Sequence, residues 1–173
     1  CLPLLPRPAH CVAPCRSGRA EIFTRYASRA GSAMLRQHSD TIPSATRERG
    51  FTMFTREVDA VVRESGIETG LCTLHLQHTS ASLLIQENAD PTVRSDLDRF
   101  FARLVPDGDR IFEHTFEGED DMPAHVRTAL TAVNLSIPVV SGALALGTWQ
   151  GIYLWEHRTH PHRRRVVVHI LGE

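Results

Sequence analysis

Apolar and polar positions along the chain follow two periods, and the change from one to the other marks the elements. Residues 71–76 hold Leu71, Leu74 and Leu76 around Cys72, Thr73 and His75, which reads as a buried strand. Small polar residues follow, His78, Thr79, Ser80 and Ser82, and then a second apolar run, Leu83, Leu84 and Ile85, which ends in Gln86, Glu87, Asn88 and Asp90. Chemically able side chains thus lie at the ends of two apolar strands, the usual place for a site carried by rigid elements. Upstream, residues 34–42 are expected to form a first strand that Pro43 ends or bends at a sheet edge.

Three stretches switch to the helical period. Val58, Val61 and Val62 form an i, i+3, i+4 stripe, with Thr55 as the expected N-cap and Gly66 as C-cap. Asp90 and Pro91 open a second helix whose expected buried face is Val93, Leu97, Phe100, Phe101 and Leu104. Asp120 or Asp121 is expected to cap a third, with Pro123 in its first turn and His125 close behind. Strands are expected again at 134–140, 152–155 and 166–171, with Ser141-Gly142 as a hairpin turn. No regular βαβ repeat appears. The predicted class is α+β, a mostly antiparallel sheet sandwich with about three helices.

Composition changes this picture at one place. Residues 1–33 carry Arg7, Arg16, Arg19, Arg25 and Arg29 against Glu21, a net of +4, which leaves -5 for the rest of a chain whose total is -1. They show no sustained period. The expectation is a disordered, dispensable extension, with Met34 as a plausible start and a single domain over 34–173; an Arg-rich targeting leader is the alternative. The 173 residues, 42% of them hydrophobic, suit one core and not two. The near-neutral charge argues against nucleic acid as partner, and no apolar run is long enough for a membrane span. Every one of the 19 cationic side chains is Arg, so Lys chemistry is excluded. Cys72 is the one Cys in the patterned region, no disulfide framework is present, and a cytoplasmic location is expected.

Ten His direct attention to metal or acid–base chemistry. His78 closes a strand, His114 lies in an acidic loop and His125 opens a helix, so their side chains can converge on one divalent ion, zinc or else magnesium. A solvated or structural His is the competing reading for each. Glu87, expected close to that ion, is a candidate general base, against a solvated strand end. Thr79, Ser80 and Arg158 suit phosphate or carboxylate. Arg163, Arg164 and Arg165 would alternate across a sheet. Gly147-Thr148-Trp149-Gln150-Gly151 offers a stacking face and an amide, or else a buried bend beneath a subunit contact.

Four segments, LQHTSASLLIQENADP (76–91), HTFEGEDDMPAHVR (114–127), LGTWQGIYLWEHR (146–158) and residues 163–173, together resemble the YjbQ family. The resemblance runs from about residue 34 to the C-terminus. It implies a small α+β homotrimer with a metal or anion near the family's histidines, which fall on His78, His114 and His125, and a Glu-Asn pair on Glu87 and Asn88. It also implies a secondary thiamine-phosphate synthase activity, metal-assisted transfer between a pyrimidine pyrophosphate and a thiazole phosphate. On that reading His78, Glu87 and His125 are catalytic, His78, His114 and His125 hold the metal, and Thr79, Ser80, Asn88, Trp149 and Arg158 bind a phosphorylated small molecule. The alternatives are a non-catalytic homotrimer binding a metal or phosphometabolite, and a structural trimer with a vestigial site. One departure is Arg47-Glu48-Arg49-Gly50, where the family shows a Gly-Arg-Gly-like turn.

Overall fold

A computed structural model describes residues Met34–Glu173. The expectation of a disordered extension over 1–33 lies outside the described residues. In order, the elements are β1 (Arg36–Thr46), β2 (Gly50–Met53), α1 (Thr55–Ser65), β3 (Thr69–Leu76), β4 (Ala81–Glu87), α2 (Pro91–Leu104), α3 (Asp121–Leu130), β5 (Asn134–Val140), β6 (Ala143–Leu144), β7 (Gln150–Glu156) and β8 (His162–Gly172). They build two antiparallel sheets, one in the order β1-β8-β3-β5-β6 and one in the order β2-β7-β4. The α+β class and the three helices are as predicted.

Period-2 alternation sets the core. Arg164, Val166, Val168 and Ile170 of β8 point inward with Cys72, Leu74 and Leu76 of β3 and Ile137 and Val139 of β5. Val58, Val61 and Val62 of α1 close over them. Each fully buried Val, Leu or Ile contributes roughly 1.5–3 kcal/mol over its exposed state. β7 does not alternate: from Gly151 to Glu156 it is buried on both faces, because β2 and β4 flank it and α2 lays Phe101 across Trp155 at 4.8 Å. Burial pushes the Cys72 thiol up to about 11, so it behaves as a small apolar side chain.

Several local expectations need correction. Thr55 is not the α1 cap; Phe54 holds that position, and the Thr55 hydroxyl accepts the Ile152 N–H at 2.8 Å. Gly66 does end α1 in the left-handed region, at φ 60°. Pro43 bends nothing away: β1 runs through it to Thr46 and is tolerated because β1 is an edge strand. Asp90 caps α2 by accepting the Thr92 N–H at 2.8 Å, yet no α2 residue is fully buried, and Phe100 and Leu104 are half exposed. Neither Asp120 nor Asp121 caps α3 with its side chain; both are taken up by Arg158. Ser141-Gly142 is the hairpin turn predicted, with both residues at positive φ.

β3 and β4 are consecutive but lie in different sheets, so residues 77–80 cross from one to the other. The segment after α3 stitches this crossing: Ala132 O accepts from Leu83 N–H at 2.7 Å, and Val133 O from Leu76 N–H at 2.9 Å. No helix among the described residues is long and apolar enough to cross a membrane.

Candidate functional site

The crossing and the start of α3 bring three ligand-type groups together. Asp121 is the first residue of α3 and His125 lies one turn on, on the same face. The loop before α3 carries His114. Its Nε2 is 2.9 Å from Asp121 Oδ2, and His125 Nε2 is 3.5 Å from the same oxygen. All three ligand atoms lie within 4.8 Å of one another. His125 Nδ1–H donates to the Thr79 carbonyl at 2.9 Å, which turns Nε2 towards Asp121. A metal-ligating imidazole is oriented in the same way, by a hydrogen bond from its other ring nitrogen.

Asp121 is held in place from behind. Arg158 Nη1 donates to Asp121 Oδ1, its Nε to Asp120 Oδ2 at 3.2 Å and its Nη2 to the Glu117 carbonyl at 2.7 Å. Burial raises the Asp120 carboxyl, but the Thr159 N–H (2.8 Å) and hydroxyl (2.9 Å), with Arg158, outweigh it and hold the group at about 2. Arg158 is only 8% exposed. Its guanidinium is committed to the acidic loop, so the expectation that it binds a ligand's phosphate gives way to a positioning role.

His78 joins differently from what the sequence suggested. Its Nδ1 accepts the Ser80 N–H at 3.2 Å and lies 3.2 Å from Ser80 Oγ. Ser80 Oγ in turn accepts from Arg164 Nη2 at 3.1 Å, and Arg164 is bound to Glu156 at 2.5 and 2.7 Å. Thr46 Oγ1 completes this buried chain by donating to Glu156 Oε2 at 2.8 Å. Burial first, then the Arg164 charge, lowers the His78 pKa, so the ring is neutral and its proton sits on Nε2. His78 is therefore oriented as a donor, and the cluster of ligand-type atoms comprises His114, Asp121 and His125 without it. His75, Gln77, His78, Thr79 and His125 line one cleft of about 840 Å³. Ser80 is buried beneath it, 1% exposed, and reaches it only through His78.

Glu87 and Asn88 lie elsewhere. Glu87 is the last residue of β4 and Asn88 follows it, so Glu87 is six residues from Ala81, or about 20 Å at ~3.3 Å per residue. Glu87 is thus not beside the imidazoles. Asn88 Nδ2 donates to the Thr148 and Gln150 carbonyls, both at 3.3 Å, which fastens the turn bearing Trp149. Glu87, Trp149 and Gln150 share a separate cavity of about 370 Å³.

The residue missed from sequence is Asp121. The signal was available: Asp121 and His125 are spaced i, i+4 at the start of a helix, which places a carboxylate and an imidazole on one face. His157, which the sequence places in a charged triplet after an apolar strand, is instead fully buried. Its Nε2 meets Ser82 Oγ at 2.9 Å, and burial, with Arg127 next, pushes it down to about 3, so it stays neutral within the core.

The family described as "UPF0047 protein YjbQ-like" matches residues 40–173. A Synechocystis UPF0047 protein, sll1880, is 54% identical over 144 residues, covering 83% of this chain and 98% of its own length. The UPF0047 protein YjbQ of Salmonella typhimurium is 47% identical over 134 residues, 77% of this chain and 96% of its own. Among solved structures, a Sulfolobus solfataricus protein superposes with a TM-score of 0.74 at 26% identity, covering 81% of this chain and all of that one. It is described as a YbjQ-like protein of unknown function. The conserved hypothetical protein TT1486 of Thermus thermophilus gives 0.66 at 37% identity, with 74% and 97% covered. These relatives are named by family alone, and that overturns the thiamine-phosphate synthase and metal-assisted transferase expectation: membership brings no such assignment with it. With its match running through every strand of both sheets and through the imidazole–carboxylate cluster, the chain belongs to the YjbQ-like UPF0047 family.

Proposed function

We propose that this protein binds one divalent metal ion through His114, Asp121 and His125, beside the cleft that His78 and Thr79 line. The observation that carries the reading is the convergence of the three ligand atoms, with the His125 ring oriented by its Nδ1 contact so that Nε2 faces Asp121. Two imidazoles and one carboxylate suit zinc better than magnesium, which prefers oxygen ligands and its own waters. Ligand atoms around zinc lie roughly 3.3 Å apart, given bonds of about 2.0–2.1 Å. The half-exposed His114 side chain has the freedom to close that gap. A bound metal supplies positive charge facing the cleft, and His78 adds an N–H donor there. Together they suit an anionic small molecule, with phosphate the natural group.

Zinc binding by equilibrium dialysis tests this. His125→Ala and Asp121→Asn are each expected to weaken zinc by roughly 100-fold or more, and His78→Ala by less than about threefold. Affinity should also fall as the pH drops from about 7.5 to about 5.5, because protons compete for the imidazole lone pairs. A protein that takes up no zinc at micromolar concentration, or a His78→Ala as damaging as His125→Ala, would sink the proposal.

Self-association is proposed on a second observation. Among the described residues no helix covers the outer face of the larger sheet, where Leu71, Pro138, Val140 and Leu171 are neighbours in register and all exposed. Copies of the chain packed there would form the cyclic trimer that the family resemblance implies.

A further inference from the structure

The far end of β4 holds a second set of groups that the metal proposal leaves unused. We infer that the cavity between the end of β4 and the turn at 147–151 is a binding site for a small organic cation of the quaternary-ammonium type. It shares no lining residue with the metal site and lies at the opposite end of β4 from Ala81, about 20 Å along the strand.

The lining is Ile85, Gln86, Glu87, Ala89, Trp149 and Gln150. Trp149 is 65% exposed, although burying an indole is among the largest apolar gains a side chain offers. It is not exposed through looseness. Gly147 N–H donates to Gln150 Oε1 at 2.7 Å and Gln150 N–H to the Gly147 carbonyl at 2.9 Å. Asn88 N–H donates to the Trp149 carbonyl at 2.9 Å, and its amide holds both flanking carbonyls. Gly151 lets the turn press down: a Cβ there would lie 3.1 Å from Tyr153 and 3.3 Å from Asn88 and Met53. A braced turn thus holds an exposed indole at the wall of an open cavity.

Glu87 supplies the charge. Its Oε1 accepts the Asp90 N–H at 3.3 Å, and it forms no ion pair among the described residues. The nearby cation is diverted. Arg94 donates to the Glu87 backbone carbonyl at 3.1 Å and lies over the Tyr153 ring at 5.3 Å, while Tyr153 OH donates to the same carbonyl at 3.2 Å. The cavity lining therefore carries one negative charge and no positive one. An anion is repelled there. A metal ion finds a single carboxylate, too few ligands. A neutral molecule leaves the carboxylate without compensation. An alkylammonium head satisfies both walls, with cation–π attraction to Trp149 and charge pairing with Glu87, and its methyl groups rest on Ile85 and Ala89. The volume, at the low end for ligand sites, limits the ligand to a small head group.

Choline and its neutral isostere 3,3-dimethylbutan-1-ol, titrated into the full chain, test the inference. Ligand-observed NMR follows binding, and thermal melting confirms that each variant is folded. Saturable choline binding in the low-millimolar range or tighter is expected, with the isostere weaker by about tenfold. Glu87→Gln should weaken choline by about tenfold and leave the isostere unchanged, Trp149→Ala should abolish both, and His125→Ala should change neither. That last variant separates this site from the metal proposal, since either can fail alone. Equal binding of choline and the isostere, an unaffected Glu87→Gln, or no saturation up to about 100 mM would overturn it. So would Trp149 emission that varies with protein concentration and not with choline, which would assign the indole to a contact between copies.

Discussion

Asp121 divides its carboxylate between two tasks, one oxygen to Arg158 and the other to the imidazoles, and this decides what Arg158 is for. From sequence, an Arg just past an apolar strand looked like an arm reaching for a ligand. The acids that claim it come from residues 117–121, about forty positions earlier, and nothing local announces that meeting. Arg158→Met is expected to destabilise the fold by roughly 3–5 kcal/mol, because it strands two buried carboxylates, and denaturant melts would show this directly. A protein of unchanged stability that had lost only affinity for anions would restore the ligand-arm reading. Asp120 offers a pH test. Its folded pKa lies below the ordinary 3.8, so its stabilisation is full above 3.8 and is lost as the pH falls through about 2. The shift is worth on the order of 2 kcal/mol at neutral pH. The stability gap between the wild type and Asp120→Asn should be widest near about pH 6 and close towards pH 2; a gap independent of pH would contradict this.

At the scale of elements, legibility followed burial. The strands of the larger sheet, the valine stripe of α1, the Asp90 cap and the Ser141-Gly142 hairpin could be read because each answers to its own residues. Arg163, Arg164 and Arg165 alternate as expected, with only Arg164 turned into the core. α2 was misjudged because an apolar stripe says which face could be buried, not whether a partner covers all of it. Asp121, and not His78, meets His114 and His125, because that meeting is set by residues from separate elements. One register-dependent feature is testable. Gly172 in β8 faces Gly70 in β3, and a Cβ on Gly172 would lie 2.1 Å from the Thr69 carbonyl oxygen. Gly172→Ala is expected to destabilise the protein by roughly 1–3 kcal/mol, measured by chemical denaturation. A neutral outcome would mean that the two strands can part at no cost.

For the whole molecule, the class and much of the architecture could be read because the alternation of buried and exposed residues is strong. The split into two sheets could not, since the chain between β3 and β4 carries no mark of where it changes sheet. The outer face of the larger sheet, which no helix of the described residues covers, sets the prediction at this scale. Light scattering at micromolar concentration is expected to give the mass of a trimer, and Leu171→Glu to reduce it to that of a monomer with little change in the fold. A wild-type monomer would rule out this interface.

The length of β4 has a consequence for how the two ends could ever cooperate. A molecule small enough for the Glu87 cavity never reaches His125 in the same copy. Any event that needs both residues must draw them from different chains, so its genetics would be those of complementation: His125→Ala and Glu87→Gln chains, each defective alone, would restore intact composite sites when mixed. Tasks confined to one end would show no such rescue, and the strand would serve as an insulator between two separate chemistries.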